Sequence, residues 1–114
     1  MSATLSVVNL NVSEEKEDLP IDYFQLKKAA MILRAMNHKL RLNIIQLIDQ
    51  HKKLTVTEIY VKLRMEQSVA SQHLAILRKA NIVLTEREGK FIYYTLNYGR
   101  IKEITYFIKE LLGV

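Results

Sequence analysis

Residues 67–96 read QSVASQHLAILRKANIVLTEREGKFIYYTL, and the spacing of their apolar residues changes once along the stretch. Up to residue 80 the apolar side chains of Ala70, Leu74 and Leu77 recur at helical spacing. From residue 82 two runs rich in strand-forming residues follow, at 82–87 and 90–96, and Glu88-Gly89 is predicted as the turn between them. A helix followed by a tight hairpin is typical of a winged helix, in which the helix enters a DNA groove and the hairpin lies on the backbone.

Four polar residues share the side of the predicted helix that faces away from its apolar residues. They are Gln67, Ser68, Ser71 and Gln72. Glutamine can pair bidentately with adenine, and serine can bond base edges or phosphates. The face formed by these four residues is therefore predicted to contact the major groove. An ordinary solvated helix face is the alternative.

Basic residues flank the predicted hairpin turn and precede the helix. Arg87 and Lys90 lie on either side of Glu88-Gly89, and we expect them to contact phosphates or the minor groove. Gly89 is expected to supply the positive φ that a tight hairpin requires. Arg64, just before the helix, is a further phosphate candidate.

Composition excludes several classes of protein. The 114 residues suit one domain, and no run of about 18 apolar residues is present, so a membrane partner is not expected. Without cysteine, the chain has no disulfide, thiolate metal site or cysteine nucleophile. No basic segment followed by an apolar core opens the chain, and we expect it to be cytoplasmic.

Charge divides the chain near residue 20. Residues 1–19 carry a net charge of −3, whereas residues 20–114 contain 16 basic and 8 acidic residues, a net of +8. A body with that excess is attracted to polyanions such as nucleic acid, although a soluble domain that happens to be basic is the alternative. We expect a flexible arm over 1–19, with a short strand possible at 5–12, and a DNA-binding and dimerisation domain over 20–114.

The whole pattern predicts a mainly α fold with a small β-hairpin, a winged helix-turn-helix of order α-α-(β)-α-α-β-β-α. Helices are expected at 21–36, 38–50, 56–63, 67–80 and 98–112, and Thr55 with Glu58 forms a capping box before the third. The first and last helices carry more apolar surface than the body needs, including Tyr23, Phe24, Tyr106 and Phe107. We expect a homodimer through these two helices, the alternative being that the aromatics complete the core of one chain.

Three segments resemble the ArsR/SmtB family of small bacterial winged-helix repressors. MNHKLRLNIIQLI at 36–48 looks like the family's second helix, SVASQHLAILRKANIV at 68–83 like its recognition helix, and REGKFIYYTL at 87–96 like its wing and third strand. The resemblance implies a dimeric winged helix that binds double-stranded operator DNA and represses transcription.

The chain departs from the family at its metal sites. Where metal-sensing members carry a Cys-x-Cys pair, this sequence has Thr55 and Thr57, and neither hydroxyl binds soft metals. The positions that match the last-helix ligands are Tyr98, Arg100, Leu111 and Val114, so neither metal nor cofactor is expected. The usual helix-capping serine is replaced by Glu66, a weaker cap.

The inducer is left unknown. Three possibilities stay open: a small organic ligand between the first and last helices, a carboxylate or histidine metal site at the dimer interface, or no inducer at all. Asp22, Glu103 and Glu110 are the carboxylates placed for such a metal, although solvated faces are the simpler expectation.

Other readings have less support. No Gly-rich phosphate loop, His-Glu metal pair or nucleophile with an adjacent base occurs, so an enzyme is not expected. A winged helix used only for protein–protein interaction is the alternative function. His73 is expected to be a buried, hydrogen-bonded histidine, and His38 and His51 to stand alone, without the i, i+4 partners that metal sites on helices need. Arg41 is expected to form structural bonds near helix ends rather than to contact DNA.

Overall fold

The computed structural model describes residues 18–114, which fall into two compact units divided within the first helix, between Leu33 and Arg34. The elements are α1 (Tyr23–Met36), α2 (Lys39–His51), β1 (Leu54–Thr55), α3 (Val56–Leu63), α4 (Gln67–Lys79), β2 (Val83–Glu88), β3 (Phe91–Leu96) and α5 (Tyr98–Leu112). This order confirms the predicted winged helix-turn-helix. The expectations for residues 1–17, including the flexible arm and a strand at 5–12, lie outside the described residues.

The first unit contains most of α1, whose start is set by an aspartate. The Asp22 carboxylate accepts the backbone N–H groups of Phe24 at 3.0 Å and Gln25 at 3.2 Å. An aspartate that accepts these amides is a favourable N-cap. The helix therefore begins at Tyr23, two residues later than predicted.

The core of the second unit, 34–114, is built from α2, α3, α4 and the start of β2. Seven large side chains there have almost no exposed surface: Ile44, Ile48, Ile59, Leu74, Leu77, Ile82 and Val83. Ala70, Leu74 and Leu77 form the buried face of α4, as their spacing predicts. Because α4 is anchored along this face, its opposite side points away from the core.

The three strands form an antiparallel sheet in the order β1-β3-β2. Val83 pairs with Leu96 at the base of the hairpin, and Glu88 pairs with Phe91 at its tip. The two-residue turn is therefore Gly89-Lys90, and the prediction of Glu88-Gly89 was wrong by one residue. Gly89 has φ +64°, which agrees with the expected positive φ and with the preference for glycine at the first position of a tight hairpin turn.

Helix ends differ from the predictions by a residue or two. His38 is the N-cap of α2, and its Nδ1 accepts the backbone N–H of Leu40 at 3.1 Å, so the helix begins at Lys39. The Thr55–Glu58 capping box at the start of α3 is confirmed. Across residues 18–114, no helix has both the length and the apolar character that crossing a membrane requires.

Candidate nucleic-acid interface

A three-residue turn joins α3 to α4 and makes them a helix-turn-helix. The turn begins at Arg64, which ends α3 in left-handed backbone with φ 55°. Its backbone N–H donates to the Val61 carbonyl at 3.2 Å, and that of Met65 donates to the Tyr60 carbonyl at 3.0 Å. These bonds close the last turn of α3. The side chain of Arg64 is exposed, where a phosphate can reach it.

The first turn of α4 has no side-chain cap. Glu66 occupies the N-cap with extended backbone, φ −73° and ψ 150°, but its carboxylate accepts no hydrogen bond from the helix amides within residues 18–114. This agrees with the expectation that glutamate is a weaker cap than serine. The charge of Glu66 still interacts favourably with the positive end of the helix dipole.

The exposed side of α4 carries the four polar residues singled out in the sequence. Gln67, Ser68, Ser71 and Gln72 are all exposed. Ser68 and Gln72 lie opposite the buried apolar face, Ser71 lies at its edge, and Gln67 is exposed at the first position of the helix. Two amides and two hydroxyls are thus presented within the first two turns of one helix. Each has both donor and acceptor capacity, which matches the mixed donors and acceptors of base edges.

The hairpin of β2 and β3 extends as an exposed tip beyond the core. Every residue from 86 to 92 is exposed. Arg87 donates from Nη1 to the Gly89 carbonyl at 3.2 Å, and Lys90 lies in the turn with its Nζ 5.7 Å from the ring centroid of Phe91. We call residues 86–92 the wing. Strand β2 also packs against α4, so the hairpin that carries the wing is anchored on the helix that carries the polar residues.

The wing makes one contact that the sequence did not predict. Lys53, immediately before β1, forms an ion pair with Glu88, and its Nζ lies 4.8 Å from the ring centroid of Tyr93. The hydrogen bond that Lys53 donates to the Glu88 carboxylate is the main cause of its raised pKa. The partners are 35 residues apart in the chain, and only the pairing of β1 with β3 brings them together.

A buried arginine connects three helices behind the polar face. Arg41 is 7% exposed, and it donates from Nε to the Ala35 carbonyl at 2.6 Å and from Nη2 to the Arg34 carbonyl at 3.0 Å. Its Nη1 lies 3.2 Å from Nδ1 of His73 on α4. The prediction that Arg41 forms structural bonds near helix ends is confirmed.

The histidines differ from expectation in two respects. His73 is hydrogen-bonded as predicted, but it is half-buried rather than buried. His38 does not stand alone, because its ring centroid lies 4.7 Å from that of His73. Desolvation lowers the pKa of His73, and the charges of His38 and Arg41 lower it further. The neutral ring can then accept a hydrogen bond from Arg41.

Three of the residues considered for metal binding have structural partners. The Thr55 hydroxyl caps α3, the Asp22 carboxylate caps α1, and Glu103 lies 3.5 Å from Arg100. In the part of the chain that the structure describes, no three His, Asp or Glu side chains are grouped so that they could hold a metal ion.

Known proteins resemble this chain over the whole helix-turn-helix. Residues 38–85 match the model of the bacterial regulatory proteins of the arsR family. The transcriptional repressor PagR of Bacillus anthracis is 37% identical over 87 residues, which cover 76% of this chain and 87% of PagR. The transcriptional activator HlyU of Vibrio cholerae is 36% identical over 85 residues, 74% of this chain and 77% of HlyU.

Solved structures agree with these similarities. The crystal structure of PagR superimposes with a TM-score of 0.60 at 36% identity, covering 78% of this chain and 98% of that one. NolR from Sinorhizobium fredii superimposes with a TM-score of 0.66 at 30% identity, covering 87% of this chain and 98% of that one.

Proposed function

The chain belongs to the arsR family and is a DNA-binding transcriptional regulator, and we propose that it represses transcription by binding operator DNA as a homodimer. The observation that carries this proposal is the exposed polar face of α4 above a buried apolar face. In a helix-turn-helix the second helix contacts base edges with its first turns. Gln67, Ser68, Ser71 and Gln72 occupy those turns, and we assign the base contacts to them.

We assign phosphate contacts to basic residues on either side of α4. Arg64 precedes the helix, and Arg87 and Lys90 belong to the wing, all three with exposed side chains. Phosphate contacts fix the register of a protein on the duplex, whereas base contacts select the sequence. The net charge of +8 over residues 20–114 favours association with any duplex.

We infer a homodimer from exposed apolar side chains on the first and last helices. On α5, Tyr106 is 67% and Phe107 45% exposed, and on α1 Tyr23 and Phe24 are each 57% exposed. Their exposure among residues 18–114 supports a dimer over the alternative in which they complete the core of one chain. Contact with a second copy would remove them from water, and a two-fold dimer would present two copies of α4 to two half-sites.

Repression follows from occupancy, since a dimer on operator DNA excludes other proteins from the same site. We place the protein in the cytoplasm with its DNA, with a non-catalytic role, and with residues 1–19 as an arm outside the domain of 20–114. No metal is assigned as inducer, because Thr55 and Thr57 stand where a thiolate pair would be required.

The test is a binding titration with DNA from upstream of the chain's own gene and with a scrambled duplex of the same composition. Gln72→Ala is expected to weaken binding to the upstream duplex about tenfold, since a bidentate base contact contributes about 1–3 kcal/mol. Binding to the scrambled duplex should not change. Gln50→Ala removes an exposed glutamine from α2 and serves as the matched control.

Four outcomes would contradict parts of the proposal. If Gln72→Ala and Gln50→Ala bind the upstream duplex equally well, the base contacts are not made by α4. Sedimentation as a monomer at concentrations that saturate DNA would contradict the dimer, and release of DNA on adding zinc would contradict the assignment of no metal. Absence of salt-dependent binding to either duplex would favour the protein–protein interaction module.

A further inference from the structure

The wing carries no net charge of its own. Residues 83–96 contain two basic residues, Arg87 and Lys90, and two acidic ones, Glu86 and Glu88. Glu88 is the last residue of β2, adjacent to the turn. A carboxylate beside the turn repels phosphates that approach the wing. Neutralising Glu88 therefore favours contact between the wing and DNA.

Strand pairing places both glutamates on one face of the sheet with two aromatic rings. Glu86 lies opposite Tyr93 and Glu88 opposite Phe91, so these four side chains share a face. It is the face opposite the one that carries the buried Val83 and Leu96. We call it the outer face of the sheet.

Lys53 reaches this outer face from a different part of the chain. It precedes Thr55 by two residues, and Thr55 is paired with Tyr93, so Lys53 also points to the outer face. Its Nζ lies 4.8 Å from the Tyr93 ring centroid while it pairs with Glu88. A cation over an aromatic face is held electrostatically, which limits the positions that the flexible lysine visits.

The rings continue from Lys53 toward the turn. The centroids of Phe91 and Tyr93 are 6.4 Å apart, and Lys90 Nζ is 5.7 Å from the centroid of Phe91. A lysine thus lies at each end of this aromatic pair. Lys53 lies over Tyr93 and is paired with Glu88, and Lys90 lies in the turn next to Phe91. Only the lysine in the turn is without a carboxylate partner among residues 18–114.

We propose that Lys53 is a positioning residue for DNA binding, which holds Glu88 in an ion pair on the outer face and so prevents its charge from repelling the phosphates that the wing approaches. The proposal rests on the proposed function and adds to it a residue outside the helix-turn-helix and the hairpin. Both partners are nearly half exposed, at 43% and 46% of their side chains. Exposed ion pairs contribute little to folding, so the effect belongs to binding rather than to stability.

The experiment measures affinity and its salt dependence for wild type, Lys53→Gln, Glu88→Gln and the double variant. The probes are the upstream duplex and its scrambled counterpart. Lys53→Gln should bind both duplexes about fivefold more weakly per half-site. This is the size expected when the Glu88 carboxylate, no longer paired, lies several ångströms from a phosphate. The double variant restores the net charge of the wild type and should bind within about twofold of it.

Lys52→Gln is the matched control. It removes the same charge from the neighbouring residue, which lies 3.6 Å from Asp49 and has its Nζ 5.5 Å from the ring centroid of Tyr98 rather than contacting the wing. Its affinity should stay within about twofold of wild type. Lys53→Arg keeps the cation and should bind like wild type, and melting temperatures of all variants should agree.

The other results overturn this proposal, the proposed function, or both. If the double variant is as weak as Lys53→Gln and the salt slope falls by about 0.9 per subunit, Lys53 itself contacts phosphate. If Lys52→Gln is equally weak, only net charge matters. Wild type that binds both duplexes equally would contradict sequence-specific regulation, yet the Lys53 effect is still measured, because the phosphate contribution does not depend on sequence. Wild type that binds neither duplex overturns both.

Discussion

Replacing Arg41 should destabilise the fold more than replacing any exposed arginine. Its guanidinium donates to the carbonyls of Ala35 and Arg34, at the end of α1, and contacts Nδ1 of His73 on α4. Arg41→Met keeps the length and apolar stem of the side chain but removes these donors. The change therefore isolates the hydrogen bonds from the packing of the stem.

The magnitude follows from the two carbonyl bonds. A hydrogen bond from a charged donor contributes about 1.5–3 kcal/mol, so two contribute about 3–6 kcal/mol. The Arg34 carbonyl keeps a second partner, the backbone N–H of Asn37 at 3.2 Å, which reduces the loss. We expect the free energy of unfolding to fall by about 3 kcal/mol, and by about half as much for Arg41→Lys, which keeps the charge without the planar fork.

Urea unfolding followed by circular dichroism at fixed protein concentration measures this loss. With a slope of about 1.5 kcal/mol per molar, the midpoint should fall by about 2 M. Arg87→Met is the control, because Arg87 is exposed and should change the free energy by less than about 0.5 kcal/mol. A loss below about 1 kcal/mol for Arg41→Met would refute the assignment of these bonds as structural.

Two further predictions concern α4. Glu66→Ser should be more stable than Glu66→Ala by about 1 kcal/mol in thermal unfolding, because serine suits the extended N-cap backbone; equal stability would mean that the first turn gains no cap. The pKa of His73 is lower in the folded chain than in the unfolded chain, so the unfolded chain takes up this proton at a higher pH. The free energy of unfolding should therefore fall as the pH drops from about 6.5 toward the lowered pKa. His73→Gln should show a smaller fall between pH 7.5 and 5.5, and an unchanged pH profile would contradict this origin.

The helices and the hairpin could be predicted because their signals are local. Ala70, Leu74 and Leu77 repeat at helical spacing, and all three are buried. The errors lie at element ends, where one side chain or one strand pair decides. The start of α1 depends on the Asp22 cap, and the turn moved by one residue because Glu88 pairs with Phe91.

The candidate site was predictable only where its residues follow one another in the chain. The exposed side of α4 follows from the helical period, since residues opposite a buried face are solvated. Lys53 contacts Glu88, and His38 contacts His73. In each pair the two residues are 35 positions apart in the chain. No periodicity links such pairs, because they meet only through the register of β1 on β3 and the packing of α2 on α4.

Because β3 lies in the middle of the sheet, the length of the hairpin can change without changing the stability of the domain. Tyr93 and Tyr94 have a strand on each side, whereas Phe91 and Ile92 pair with β2 alone. Every side chain beyond that boundary, from 86 to 92, is in water. Inserting or deleting a matched pair of residues there would change how far the tip extends from the domain while every core contact persists, so the reach of the hairpin can change at almost no thermodynamic cost.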